Sequence, residues 1–131
     1  MKLNLFTLCE GAFNHNGHLT IVNTIDFINC EELPYRVAQF GVAAKIYFDA
    51  AESGEHLLKL ICKNVMGEET VMIETPIVVA QAVENTLLCV SANLSNFQFS
   101  ANGIHLFRLL VDDVAMGELI LKVNLKSKEN K

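Results

Sequence analysis

The chain has 131 residues, of which 51% are apolar and 19% charged, with a formal net charge of −5. That length suits one domain and one core, and the apolar fraction excludes a disordered tail. The acidic balance disfavours a partner built on a phosphate backbone. Function is not legible from these figures, but architecture is.

The first nine residues begin with an apolar run that Asn4, Thr7 and Glu10 break too soon for an export signal. Leu8, in the place of a small residue before Cys9, speaks against a lipoprotein signal. No apolar stretch approaches the roughly 20 residues that span a bilayer. The chain is therefore expected to be cytoplasmic, with no membrane partner. Cys9, Cys30, Cys62 and Cys89 contain no C-x-x-C pair and are expected to be reduced thiols, some serving as small core hydrophobes.

Period-two alternation dominates the chain, which predicts strands over residues 3–9, 18–25, 37–48, 56–65, 70–75 with an extension past Pro76, 86–99, 104–111 and 118–125. Asn16-Gly17 between the first two suits a tight hairpin. Residues 29–36, with Glu31, Glu32 and Pro34, read as a crossover between sheets. In the third strand Phe40, Val42, Ala44, Ile46 and Phe48 share one face, and Gln39, Lys45 and Tyr47 the other. In the fourth, Lys59 and Lys63 mark the wet face and Leu58, Leu60 and Cys62 the dry one. Residues 78–88 are the one stretch whose Ala, Gln and Glu content allows a short helical turn. Phe107, Leu109 and Val111 point inward in the seventh strand, and Leu119, Leu121, Val123 and Leu125 in the eighth. The fold expected is all-β: a single-domain antiparallel sandwich of about eight strands over residues 1–125. A charged tail, 126–131, is expected to fray; it carries +2 and leaves −7 on the body.

Motifs for chemistry are sparse. There is no phosphate-binding glycine loop and no G-x-S-x-G elbow. With no Trp and two Tyr, stacking platforms for sugars or bases are poorly supplied. No catalytic residue and no cofactor are assigned. His15 and His18 flank the Asn16-Gly17 turn, which is half of a zinc site at most, so no metal is assigned. His105 leans to the core rim in a structural role, and His56 opens a strand with no derivable geometry. The loop carboxylates Glu31, Asp49, Glu52 and Asp112 are the candidate polar groups for a small ligand, a sugar or calcium, at one end of the sandwich.

The stretches 3–9, Gly17-His18-Leu19-Thr20-Ile21-Val22, Ile25-Asp26-Phe27-Ile28 and Leu33-Pro34 resemble the opening of an uncharacterised bacterial family of small β-sandwich domains. Gly103, Phe107-Arg108-Leu109-Leu110-Val111-Asp112 and Gly117 resemble its final hairpin. Asp113 stands where a turn glycine is expected, and Phe27 where a polar residue is. The resemblance implies the sandwich and a bacterial cytosolic setting, with no activity to carry over.

Several strands are apolar on both faces. Leu57, Ile61 and Val65 share the wet side of one strand, and Ile104, Leu106 and Leu110 flank Arg108 on another. A sandwich needs one core face per sheet, so these six residues are the expected interface. The cover is either local, from residues 76–86 or 29–36, or a partner. The expected function is thus a non-catalytic interaction or structural module that binds a protein partner or itself.

Overall fold

The computed structural model describes residues 1–80 and 86–126. Nine strands lie within them: β1 (Lys2–His15), β2 (His18–Thr24), β3 (Phe27–Cys30), β4 (Tyr35–Phe48), β5 (Gly54–Lys63), β6 (Glu69–Val79), β7 (Thr86–Phe99), β8 (Gly103–Val111) and β9 (Val114–Leu125). They form a four-stranded sheet ordered β2-β1-β4-β7 and a five-stranded sheet ordered β3-β9-β8-β5-β6. The architecture is all-β and sandwich-like, as the alternation predicts. No helix among the described residues is long and apolar enough to cross a membrane.

Three details depart from the sequence reading. Part of the 29–36 crossover is a strand: β3, only four residues long, pairs parallel to β9 through Phe27↔Lys122 and Cys30↔Leu125. The expected all-antiparallel arrangement therefore fails at this one edge, because the chain crosses between sheets at Ile25 and Asp26 and meets β9 from its own starting end. The helical turn expected over 78–88 has its centre, 81–85, outside the described residues, while Val78 and Val79 end β6 and residues 86–88 open β7. The helical segment present is a 3-10 turn, Ala50–Glu52, capped by the Asp49 side chain on the Ala51 amide at 3.0 Å. Of the tail, only Lys126 is described.

The core lies between the sheets and is built from the predicted inward faces. Phe40, Val42, Ala44, Ile46 and Phe48 are each at most 2% exposed, as are Leu58, Leu60, Phe107, Leu109, Leu121 and Val123. Leu125, expected inward, is instead exposed, since it ends β9 at the sandwich rim. Phe40 packs against Phe97 and Phe107 with centroid separations of 5.4 and 5.7 Å, and Phe97 meets Phe99 edge-on at 4.8 Å. Burying each such ring contributes about 2–3 kcal/mol. Phe97 and Phe99 reach the same core as Leu94 because Asn96, at φ 58°, shifts the alternation by one residue. Cys9, Cys30 and Cys62 are buried and unbridged. Burial pushes the Cys62 thiol up to about 11, so it packs as a small apolar group.

The four-stranded sheet covers part of its own outer face. β1 pairs with β4 from Lys2 to Cys9, but from Cys9 to His15 its backbone pairs with β2. At the parting point β1 crosses over β4. A Cβ placed on Gly41 would lie 3.1 Å from Gly11 Cα and 3.0 Å from both Cys9 Sγ and Asn93 Oδ1, so any larger residue would press on the crossing strand. The β1–β2 hairpin then lies over β4, burying Cys9, Ala12 and Ala43 beneath Leu19 and Ile21. Asn93 on β7 clasps it, accepting from Ala12 N at 2.9 Å and donating to Ala12 O at 2.8 Å, and Asn14 and Cys89 add weaker contacts between the hairpin and β7. The Asn93 carboxamide thus stands in for a missing strand. The local cover expected from residues 76–86 or 29–36 concerns the other sheet, where residues 76–79 and 29–30 belong to its edge strands β6 and β3.

Candidate functional site

At the end of the sandwich where β4 gives way to β5, three of the four candidate carboxylates converge around a histidine. His56, just inside β5, has Nδ1 2.6 Å from Asp112 Oδ2 and Nε2 2.5 Å from the Glu52 carbonyl oxygen. Both ring nitrogens therefore face acceptors, an arrangement that only the doubly protonated imidazolium satisfies. The hydrogen bond with Asp112, and then that with the Glu52 carbonyl, hold the His56 pKa above its ordinary value. His56 in turn holds the Asp112 carboxyl below its usual range, with help from the Leu57 amide. The ring also packs 5.1 Å from Phe48.

The carboxylates of this cluster are already engaged. Asp112 Oδ1 accepts from Leu57 N at 2.9 Å, and Asp49 caps the 3-10 turn. Glu52 accepts from Asp49 N at 3.0 Å and from the α-amino group of Met1 at 2.7 and 2.8 Å, which lowers its pKa. His56 cannot serve as a general base, since its second nitrogen donates to a carbonyl rather than facing open space. The cluster is a clamp that joins the 3-10 turn, β5 and the β8–β9 turn. Glu31 does not belong to it. That residue follows Cys30, which pairs with Leu125 near the start of β8, at the opposite end of the sandwich. Sequence position alone groups loop acids by their distance along the chain, not by which end they occupy.

His15 and His18 sit directly opposite each other across the hairpin and are exposed. Among the described residues no group of three His, Cys, Asp or Glu side chains could hold a metal ion. His105 is 3% exposed, with Nδ1 3.2 Å from the Gly103 carbonyl oxygen and its ring edge-on to Phe99 at 5.1 Å. Burial lowers its pKa, and the neutral ring packs into the core rim.

The six predicted interface residues lie along one surface, with one exception. Leu57, Ile61, Ile104, Leu106 and Leu110 alternate with the core residues of β5 and β8, so they occupy the outer face of the five-stranded sheet. Val65 falls beyond the end of β5, over Gly103. Ile104 is 51% exposed, and the others on the strands are half-buried by their neighbours. Two residues that the sequence reading left out make this face more apolar: Phe27, 60% exposed, and Ile120, 61% exposed. Registration places Phe27, Lys122 and Ile104 in one row and Ile120 beside Leu106 in the next. The Arg108–Glu118 pair at 3.1 Å crosses this face between Leu106 and Leu110, and the Lys59–Asp113 pair at 3.1 Å lies beside Leu110. Clefts of about 470 and 370 Å³ flank β1 and share Glu10 and Gln39, the larger also bordered by Phe27.

A family model described as "Family of unknown function (DUF6941)" matches residues 4–124. The chain belongs to DUF6941. Comparison with the curated proteins returns no match. Among solved structures, the chain is similar to the alkylpurine DNA glycosylase AlkC of Pseudomonas fluorescens, bound to DNA containing an abasic site analog, with 8% identity and a TM-score of 0.53. It is also similar to a β-glucosidase from Listeria innocua in complex with glucose, with 12% identity and a TM-score of 0.54. Each match covers 94% of this chain but only 30% and 16% of the respective neighbour. At these identities the likeness is one of fold.

For this DUF6941 chain the histidine clamp sets a pH dependence. The raised His56 pKa adds stability that is complete below the ordinary imidazole value of about 6.5 and is lost as pH rises through the folded value. The lowered Asp112 pKa adds stability present above about 4 and lost as pH falls through its folded value. His105 acts in the opposite direction from His56, because its burial is penalised once pH falls below about 6.5. The difference in urea midpoint between the wild type and His56→Gln therefore isolates the clamp. That difference is expected to be largest near pH 5–6 and to shrink as pH rises past about 7. A difference that stays constant from pH 5 to 9 would show that the ring charge contributes nothing.

Proposed function

We propose that this chain is a non-catalytic interaction module whose binding surface is the outer face of the five-stranded sheet, and that its ligand is a protein. The observation that carries this reading is the contrast between the two outer faces. The β1–β2 hairpin buries Ala43 on the outer face of the four-stranded sheet and leaves Tyr47 and Leu87 each 38% exposed, whereas the five-stranded sheet leaves Phe27, Ile104 and Ile120 more than half exposed in adjacent rows. Exposed apolar residues interleaved with Lys122 and the Arg108–Glu118 pair suit a protein surface that offers both apolar and charged partners. The alternative, a small ligand held by loop carboxylates, is less favoured because Asp49, Glu52 and Asp112 already accept internal hydrogen bonds.

A photo-crosslinking residue at Ile120 tests the proposal in producing cells. It is expected to trap a discrete protein adduct that disappears when Ile104 is changed to Lys, while the same probe at the exposed Thr20 of β2 traps none. Ile104→Lys should leave the thermal midpoint within about 2 °C, since the side chain is largely solvated. The reading is overturned by an Ile120 probe that yields monomer alone, or by an adduct indifferent to Ile104→Lys.

A further inference from the structure

The two sheets present four edge strands: β2 and β7 in one, β3 and β6 in the other. Three carry features that discourage pairing with another strand. β3 has four residues. β2 has seven and ends near Asn23, whose φ of 47° twists it away. β6 carries Glu69 and Glu74, and Pro76 interrupts it on the open side. The last point follows from registration. Leu57, opposite Pro76, uses its N–H and C=O toward the β8–β9 turn, so Pro76 points its missing donor outward.

β7 has fewer of these protections: Asn96, at φ 58°, bends only its last part, and one outward carbonyl, that of Cys89, meets the Asn14 side chain. Its fourteen residues contain no charged side chain, histidine, proline or glycine, and residues 86–95 run without a positive φ. The backbone groups it exposes can be assigned. Leu8 accepts from Ile25 N on the β2 side, so its partner Val42 must turn its own N–H and C=O to Ala92 of β7. By alternation Leu87, Cys89, Ser91 and Asn93 then aim theirs away from the sheet. The Cys89 carbonyl already accepts from the Asn14 side chain at 3.3 Å, which fits the assignment. Leu88, Val90, Ala92 and Leu94 face the core yet are only half-buried, because β6 and β7 border the same side of the sandwich without pairing.

We propose that β7 pairs antiparallel with β7 of a second copy of this chain, joining two four-stranded sheets into one of eight strands across a two-fold axis. The surface selects its own kind. A covering strand must supply main-chain partners, place apolar residues at alternate positions beside Leu88, Val90 and Leu94, and bring no charge, and β7 meets all three conditions. Around a two-fold axis any charge on the edge would face its own copy, and in a chain of net charge −5 this edge has none. The inference rests on the interaction reading above but uses a different surface, so the two can fail separately.

Sedimentation velocity across micromolar concentrations tests it on the full chain. The wild type is expected to reach twice its 14.5 kDa mass. Leu87→Lys/Ser95→Lys, at two exposed positions on the edge, is expected to stay monomeric with its circular dichroism unchanged and a thermal midpoint that does not vary with concentration. Hydrogen exchange supplies a second readout: the amides of Leu87, Ser91 and Asn93 should slow at least tenfold with rising concentration in the wild type and not in the variant. A wild type that remains monomeric, or edge amides that exchange at the same rate at every concentration, overturns the inference. A dimer that survives the edge substitutions but is lost in Ile104→Lys/Ile120→Lys overturns it too, while leaving the open face of the five-stranded sheet in place as the binding surface.

Discussion

Asn93→Ala is expected to lower the unfolding free energy by about 2–3 kcal/mol, because it leaves the N–H and C=O of Ala12 without partners. Ala12 is 1% exposed, so water does not readily replace the lost carboxamide. Asn93→Asp is the informative companion. It keeps an acceptor for the Ala12 amide but sets a carboxylate against the Ala12 carbonyl, and should be no more stable than the alanine variant. Equilibrium unfolding in urea measures both. A loss below about 0.5 kcal/mol for Asn93→Ala would mean that the hairpin is held by its apolar packing and the Asn14 and Cys89 contacts without the clasp.

Gly41→Val should cost about 3 kcal/mol and Gly41→Ala about 1–2 kcal/mol, by overpacking where β1 passes over β4. The atoms that a new Cβ meets are poorly placed to move: one is the Gly11 backbone, one the buried Cys9 sulfur, and one the Asn93 oxygen engaged with Ala12. Since Gly41 and Asn93 hold the same crossing, Gly41→Ala combined with Asn93→Ala should cost less than the two losses added. Urea unfolding of the two single variants and the double variant closes that cycle. Strict additivity would show that crossing and clasp act independently.

These two positions also mark where sequence reading loses hold. Alternation identifies the buried face of β4 from Phe40 to Phe48, because one side of a strand in a sandwich must be apolar. It says nothing about Gly41 and Ala43 on the other side, whose burial depends on a hairpin arriving from residues 10–21. The first strand is read as ending at Cys9, where Glu10 and Gly11 break the pattern, although β1 runs to His15. The break is physical: it is the bend at which β1 leaves β4. The same limit applies to β7, where Asn96 moves the core-facing positions by one residue, and to β3, too short for a period to register.

The candidate sites were legible in proportion to how far they depend on alternation. Leu57, Ile61, Ile104, Leu106 and Leu110 fall on one face because period two requires it. Phe27 and Ile120 were missed there, the first because it stood in a connection and the second because Lys122 and Glu118 marked its side as ordinary wet surface. Of the loop acids Glu31, Asp49, Glu52 and Asp112, the structure brings the last three to one end. What joins them is His56, whose two partners lie four residues before it and 56 residues after it. No spacing rule connects His56 to Asp112, since their proximity is set by the pairing of β5 with β8.

The Asn93 clasp also has a consequence for the order of events on the ribosome. Asn93 lies 81 residues after Ala12, so the β1–β2 hairpin emerges long before the side chain that fastens it. A chain made from its N-terminus at about 5–20 residues per second leaves that hairpin unclasped for several seconds. Cys9, Ala12 and Ala43 and the Leu19 and Ile21 side chains that pack on them are all made before β7, so these apolar contacts can form first, and the Asn93 hydrogen bonds only once β7 has emerged.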